Sequence, residues 1–125
     1  MARAAASRSY ADSLKLYEKL VATNRSVERK GATMPYTSVN GHMFSVLRKD
    51  GVLALRLPER ERNLFLVKYG AKLSEQYGIV QKDYVAVPPD LLAKTAELKK
   101  YFDVSYAFVL SLKPKATKKS ATTVK

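Results

Sequence analysis

The chain has 125 residues, 46% of them apolar, enough to bury one substantial core but not two. It has no cysteine, which excludes disulfides, thiolate metal sites and cysteine nucleophiles together. Its formal charge of +12 is concentrated at the ends: setting aside Arg3, Arg8, Lys113, Lys115, Lys118, Lys119 and Lys125 leaves 16 basic against 11 acidic residues between Ser9 and Leu112.

Residues 1–8 carry two arginines and no apolar segment, so they read as a flexible N-terminus rather than a secretory signal. No later stretch approaches the roughly 20 apolar residues needed to span a bilayer, which points to a soluble cytoplasmic protein. From Ser9 to about Asn24, Tyr10, Leu14, Tyr17 and Val21 fall four, three and four apart, the spacing of an amphipathic helix. The polar run Asn24 to Gly31 closes it, and Ala32 to Val39 is extended by composition, with Pro35 confining it to an edge or bend.

Two apolar runs, His42 to Lys49 and Val52 to Leu57, flank Asp50-Gly51 and predict a hairpin with a two-residue type I′ turn. That turn would place Leu47 opposite Ala54 and Val46 opposite Leu55. One face then carries Phe44, Val46, Leu53, Leu55 and Leu57 beneath the helices, and the other Met43, Ser45, Leu47, Val52, Ala54 and Arg56. Pro58 with Glu59 and Glu61 marks a helix start, with Leu64, Phe65 and Tyr69 as its buried side and Gly70 as its stop. Lys72 to Gly78 is ambiguous, whereas Asp83 to Val87 alternates as a strand before Pro88-Pro89. Between Asp90 and Leu112, Leu91, Thr95, Leu98, Phe102, Ser105, Val109 and Leu112 hold helical spacing, as one helix or as two pieces that break near Thr95. Residues 113–125 are too polar to repay ordering and read as a disordered lysine-rich tail. The order predicts an α+β domain over 9–112: an antiparallel sheet with helices mainly on one face, arranged helix, three strands, helix, one or two strands, helix.

Met34, Val39-Asn40-Gly41-His42-Met43-Phe44, Leu53 to Leu57, Phe65, Tyr84-Val85-Ala86-Val87-Pro88 and Leu98 to Ser105 stand in the order and spacing of a known pattern. Through them the chain resembles the TfoX/Sxy N-terminal domain family, across roughly Tyr10 to Lys113. Pro35-Tyr36-Thr37 replaces the family's usual Phe-Gly-Gly, and the second helical domain of its competence regulators is not represented. The resemblance implies a five-stranded antiparallel sheet with flanking helices and no family-wide catalytic residue. A role in competence does not transfer with it.

His42 is the only histidine, and alone it makes neither a triad nor a zinc site. Were it catalytic, it would work with Arg56 and Glu59 around a cleft at the sheet rim. No nucleophile elbow, P-loop or dinucleotide fingerprint occurs, so no cofactor and no metal is expected. The eight tyrosines suggest core packing before base stacking. Met43, Leu47, Val52 and Ala54, ringed by Lys49 and Arg56, would make the outer hairpin face unusually apolar for a sheet side exposed to water. Either another element covers that face or it binds a partner or a second copy. The sequence thus favours a non-catalytic regulatory or adaptor module acting by protein association through Met43, Leu47, Val52, Ala54 and Arg56. The alternative is nucleic-acid binding through Lys113, Lys115, Lys118, Lys119 and Lys125, driven by counterion release.

Overall fold

A computed structural model describes residues 9–31, 33–76 and 78–114. The expectations for residues 1–8 and 115–125 lie outside the described residues. The elements are α1 (Tyr10–Val21), β1 (Tyr36–Val39), β2 (His42–Leu47), β3 (Leu53–Arg56), α2 (Glu59–Tyr69), β4 (Lys72–Gln76), β5 (Ile79–Val87), α3 (Pro89–Leu92) and α4 (Thr95–Ser111). The strands form one antiparallel sheet in the order β1-β2-β3-β5-β4, so the fold is α+β. No described helix is long and apolar enough to cross a membrane.

Helix α1 starts where the sequence marks it: the Ser9 hydroxyl accepts a hydrogen bond from the Asp12 amide at 3.1 Å, and Asp12 lies in the positive first turn. Its buried side is Ser13, Tyr17, Leu20 and Val21. The last helical segment is two pieces, α3 and α4, parted at Ala93 and Lys94. Ambiguous residues 72–76 form β4, and β5 begins at Ile79, four residues earlier than the alternation at Asp83 suggests.

The β2–β3 register differs from the sequence expectation by one residue. Ser45 pairs with Leu55, Val46 with Ala54 and Leu47 with Leu53. The cause is the loop: the Arg48 amide bonds to the Val52 carbonyl and the Gly51 amide to the Arg48 carbonyl, both at 2.9 Å, with Gly51 at φ +84°. Lys49-Asp50-Gly51 is therefore a three-residue loop ending in a left-handed glycine, not a two-residue turn. The Asp50 carboxylate locks it by accepting from the Val52 amide at 3.1 Å and from Arg48 at 2.6 Å. The two-residue geometry appears instead between β1 and β2, where Asn40 (φ 57°) and Gly41 (φ 78°) join the paired residues Val39 and His42.

A one-residue shift exchanges the faces of β2 while those of β3 stay as expected. Ser45, Leu47, Leu53, Leu55, Val85 and Val87 now lie on the side of the helices, and Leu47 is fully buried in the main core with Tyr17, Phe65, Leu98 and Phe102. Val46 turns to the other side, joining Ala54 and Arg56, which keep the side expected for them. Phe44 escapes the exchange because β2 carries an extra residue opposite Thr37 and Ser38. The bulge turns its ring onto α4, 5.4 Å from Phe102 and 6.0 Å from Tyr106 between centroids.

The second face is not bare. After Leu73, β4 and β5 break register and re-pair from Ser74↔Gln81 to Gln76↔Ile79. Arg48, at the end of β2, donates to the Ser74 hydroxyl at 3.3 Å, although β3 and β5 separate those strands. In a flat sheet three spacings would hold them about 14 Å apart, beyond an arginine's reach. The distal β4–β5 arm therefore curls toward β2 over the face that carries Val46 and Ala54, both buried.

Candidate functional site

The structure disperses the five residues that the sequence grouped as a partner surface. Leu47 and Ala54 are fully buried on opposite sides of the sheet. Met43 is half-buried, and its carbonyl accepts from the Tyr84 hydroxyl at 2.7 Å. Val52 is half-buried at the loop end, while Arg56 pairs with Asp83. No open apolar patch joins them, because the register that would align them is not the one formed. Of the tail residues, Lys113 is exposed, whereas Lys115, Lys118, Lys119 and Lys125 lie outside the described residues.

His42, Arg56 and Glu59 are not brought into one hydrogen-bonded group among the described residues. Nε2 of His42 lies 2.9 Å from the Lys113 carbonyl, an acceptor only, which makes Nε2 the protonated nitrogen. With Asn40, whose amide donates to the Leu110 carbonyl at 2.9 Å, His42 ties the β1–β2 turn to the end of α4. Glu59 is exposed at the start of α2.

A different surface gathers functional side chains, where α2 meets the first turns of α4. Phe65 is buried there against Tyr69 and Tyr101, with centroids 4.8 and 5.0 Å away, so the two tyrosines form a wall with their hydroxyls outward. The Tyr69 hydroxyl donates to the Glu97 carboxylate and lies 3.5 Å from the Tyr101 hydroxyl. Beside them is a depression of about 430 Å³ lined by Lys68, Ala96, Glu97, Lys100 and Tyr101.

The electrostatics of this depression are one-sided. The Tyr69 hydrogen bond, followed by the fields of Lys94, Lys68 and Lys100, holds the Glu97 carboxyl below its ordinary range. Desolvation, and then the bonds to Glu97 and Tyr101, push the Tyr69 phenol up, so it stays a neutral donor. One carboxylate, occupied by a tyrosine, thus faces three lysines. The free amides at the start of α4 add partial positive charge on the same side.

Apolar side chains border the basic rim. Leu64 is 59% exposed and Val67 is 84% exposed, with Val67 and Lys68 three and four residues along α2 from Leu64. On a helix, residues at i, i+3 and i+4 are neighbours, so Leu64, Val67 and Lys68 form one continuous patch. This corrects the expectation for Leu64, which leaves only Phe65 fully buried on α2, with Leu66 and Tyr69 partly buried. The sequence carried a trace of the site in Lys99-Lys100-Tyr101 and in an α2 that is apolar on more than one side. Neither signal says which side faces water.

No family model, curated protein or solved structure matches the chain.

A second charged cluster lies where β3 passes into α2. Arg56 and Arg62 both point at Asp83, at 3.8 and 3.6 Å. Arg62 also donates to the Leu57 carbonyl at 2.9 Å, and the Arg56 guanidinium lies 5.4 Å from the centre of the Phe108 ring. Burial raises the neighbouring Tyr84 phenol above its ordinary value, the Arg56 charge opposing that rise.

Proposed function

We propose that the chain is a regulatory or adaptor module of the TfoX N-terminal type, working in the cytoplasm by protein association rather than catalysis. The α2–α4 surface is its contact face. The reading rests on one observation above others: Leu64 and Val67 project into solvent beside a tyrosine-walled depression with three lysines around one engaged carboxylate. An exposed apolar pair bordered by cations fits an acidic protein segment with apolar anchors. It fits a second copy of this chain poorly, since two such faces would bring like charges together. The family part of the reading is supported by the five-stranded antiparallel sheet with its flanking helices, the fold that the resemblance implies.

The test is fluorescence anisotropy of the full chain with a labelled, acidic, amphipathic synthetic peptide, and separately with oligothymidylate, at matched ionic strength. Peptide binding should weaken as salt rises and be lost in Leu64→Glu and in the Lys68→Glu, Lys100→Glu double variant. Those positions are exposed, so folding should be retained. Tight oligothymidylate binding without peptide binding would transfer the function to nucleic acid, the reading based on Lys113 and the lysines that follow it.

A further inference from the structure

We propose that Arg56 and Arg62 form a binding site for a phosphate monoester dianion at the junction of β3 and α2, independent of the association surface on α2 and α4. The two guanidinium groups are largely withdrawn from water, with side-chain exposures of 20% and 17%, and they share one carboxylate, Asp83, that is 55% exposed. The ion-pair distances of 3.8 and 3.6 Å are both beyond hydrogen-bonding range. Arg56 donates no hydrogen bond within the described residues, and its Nε is buried without a partner. A guanidinium carries five N–H donors, and leaving them unmatched away from water is costly. The cluster therefore holds an excess positive charge and free donors that an oxyanion would satisfy.

The geometry also selects the class of anion. Phe108 lies against the Arg56 guanidinium and limits how it can turn, while the bond to the Leu57 carbonyl anchors one arm of Arg62. Both groups remain aimed at the place where the Asp83 oxygens lie. Arginine binds phosphate and carboxylate through paired, parallel N–H bonds. A monoester presents three terminal oxygens and can serve both guanidiniums by sharing one. A diester has only two unesterified oxygens, so it fills one guanidinium and leaves the other short. A terminal or side-chain phosphate thus fits better than a nucleic-acid backbone. Asp83 would act as the mobile counter-ion that the phosphate displaces.

The test is an NMR titration of the full chain with inorganic phosphate, N-acetyl phosphoserine amide and dimethyl phosphate, each against chloride at matched ionic strength. Inorganic phosphate should give saturable shifts at the amides of Arg56, Arg62 and Asp83, and dimethyl phosphate should not. Asp83→Asn keeps both arginines and removes the competing charge, so it should tighten phosphate binding by roughly tenfold. Arg56→Gln should weaken it by a similar factor. Equal binding of blocked phosphoserine would identify a phosphorylated side chain as the occupant, and binding of inorganic phosphate alone would identify free phosphate; either supports the site. Shifts spread over the surface lysines, shifts matched by chloride, dimethyl phosphate binding as tightly as the monoesters, or unchanged or weaker phosphate binding by Asp83→Asn would overturn it.

Discussion

Replacing Tyr17 by phenylalanine tests how α1 is fastened to the sheet. The Tyr17 hydroxyl lies 2.6 Å from Ser45 Oγ, which lies 2.5 Å from Thr37 Oγ1, so three hydroxyls form a chain inside the core. Deleting the first leaves the other two paired, and the loss at neutral pH should be one hydrogen bond, about 1 kcal/mol. Alkaline pH changes the balance. Burial, partly opposed by the bonds to Ser45 and Thr37, pushes the Tyr17 phenol up from 10.0 to about 12. Between those values the native state holds a proton that the unfolded chain releases, so the contribution is complete below pH 10 and is lost as pH rises through about 12. At about 1.4 kcal/mol per pH unit, roughly 3 kcal/mol disappears from the wild type and not from the variant. The two stability curves, about 1 kcal/mol apart at neutrality, should therefore cross near pH 11. Tyr69 and Tyr84 also have raised pKa values, but they are common to both proteins and cancel in the difference. Urea unfolding followed by circular dichroism across that range is the assay. Parallel curves that never converge would refute the picture of a phenol whose burial outweighs the Ser45 and Thr37 bonds and the Arg29 charge that favour its charged form.

Two further comparisons probe the hairpin. Leu47→Ala should cost about 2–5 kcal/mol, because Leu47 is fully buried in the main core, whereas Val52→Ala, at a half-buried loop end, should cost less than about 1 kcal/mol; comparable small effects in urea unfolding would restore the register that puts both on an open face. Gly51→Ala forces a side chain onto φ +84° with its Cβ 3.2 Å from the Ser13 hydroxyl. It should lower stability by about 1–3 kcal/mol, and by more than Gly70→Ala, whose Cβ would meet nothing within 4 Å; thermal melts of the pair decide it.

The element order was legible in the sequence because it depends on periodicity and breakers. Ser9, Pro58 and Gly70 all act at the helix ends where their chemistry places them. The face of β2 was not legible, although that of β3 was, since Asp50-Gly51 serves either a two-residue or a three-residue loop. The choice is made by the Asp50 carboxylate, which takes both Arg48 and the Val52 amide. One residue of slip moved Leu47 from the supposed outer surface to the core. Asn40-Gly41, the stronger signal for a type I′ turn, was present and would have placed a tight hairpin between β1 and β2. The bulge at Phe44 and the curl after Leu73 leave no comparable trace, because both depend on what packs over the strands rather than on the strands themselves.

The corrected register also changes where recognition can occur. With helices over Ser45, Leu47 and Leu55, and with Val46 and Ala54 buried on the other side, the central strands offer a partner neither face. Recognition must then use the outer sides of the helices or the ends of the sheet, and each of those places carries a basic cluster with few acids. At the α2–α4 surface the cations are lysines on flexible stems beside exposed Leu64 and Val67, which suits an adaptable protein contact. At the end of β3 they are arginines, one against Phe108 and one held by the Leu57 carbonyl, which suits an anion of fixed shape. The difference gives a separable result: Lys68→Glu with Lys100→Glu should abolish peptide binding while leaving phosphate binding intact, and Arg56→Gln should do the reverse. Loss of both activities in either variant would mean that the two clusters belong to one continuous basic surface.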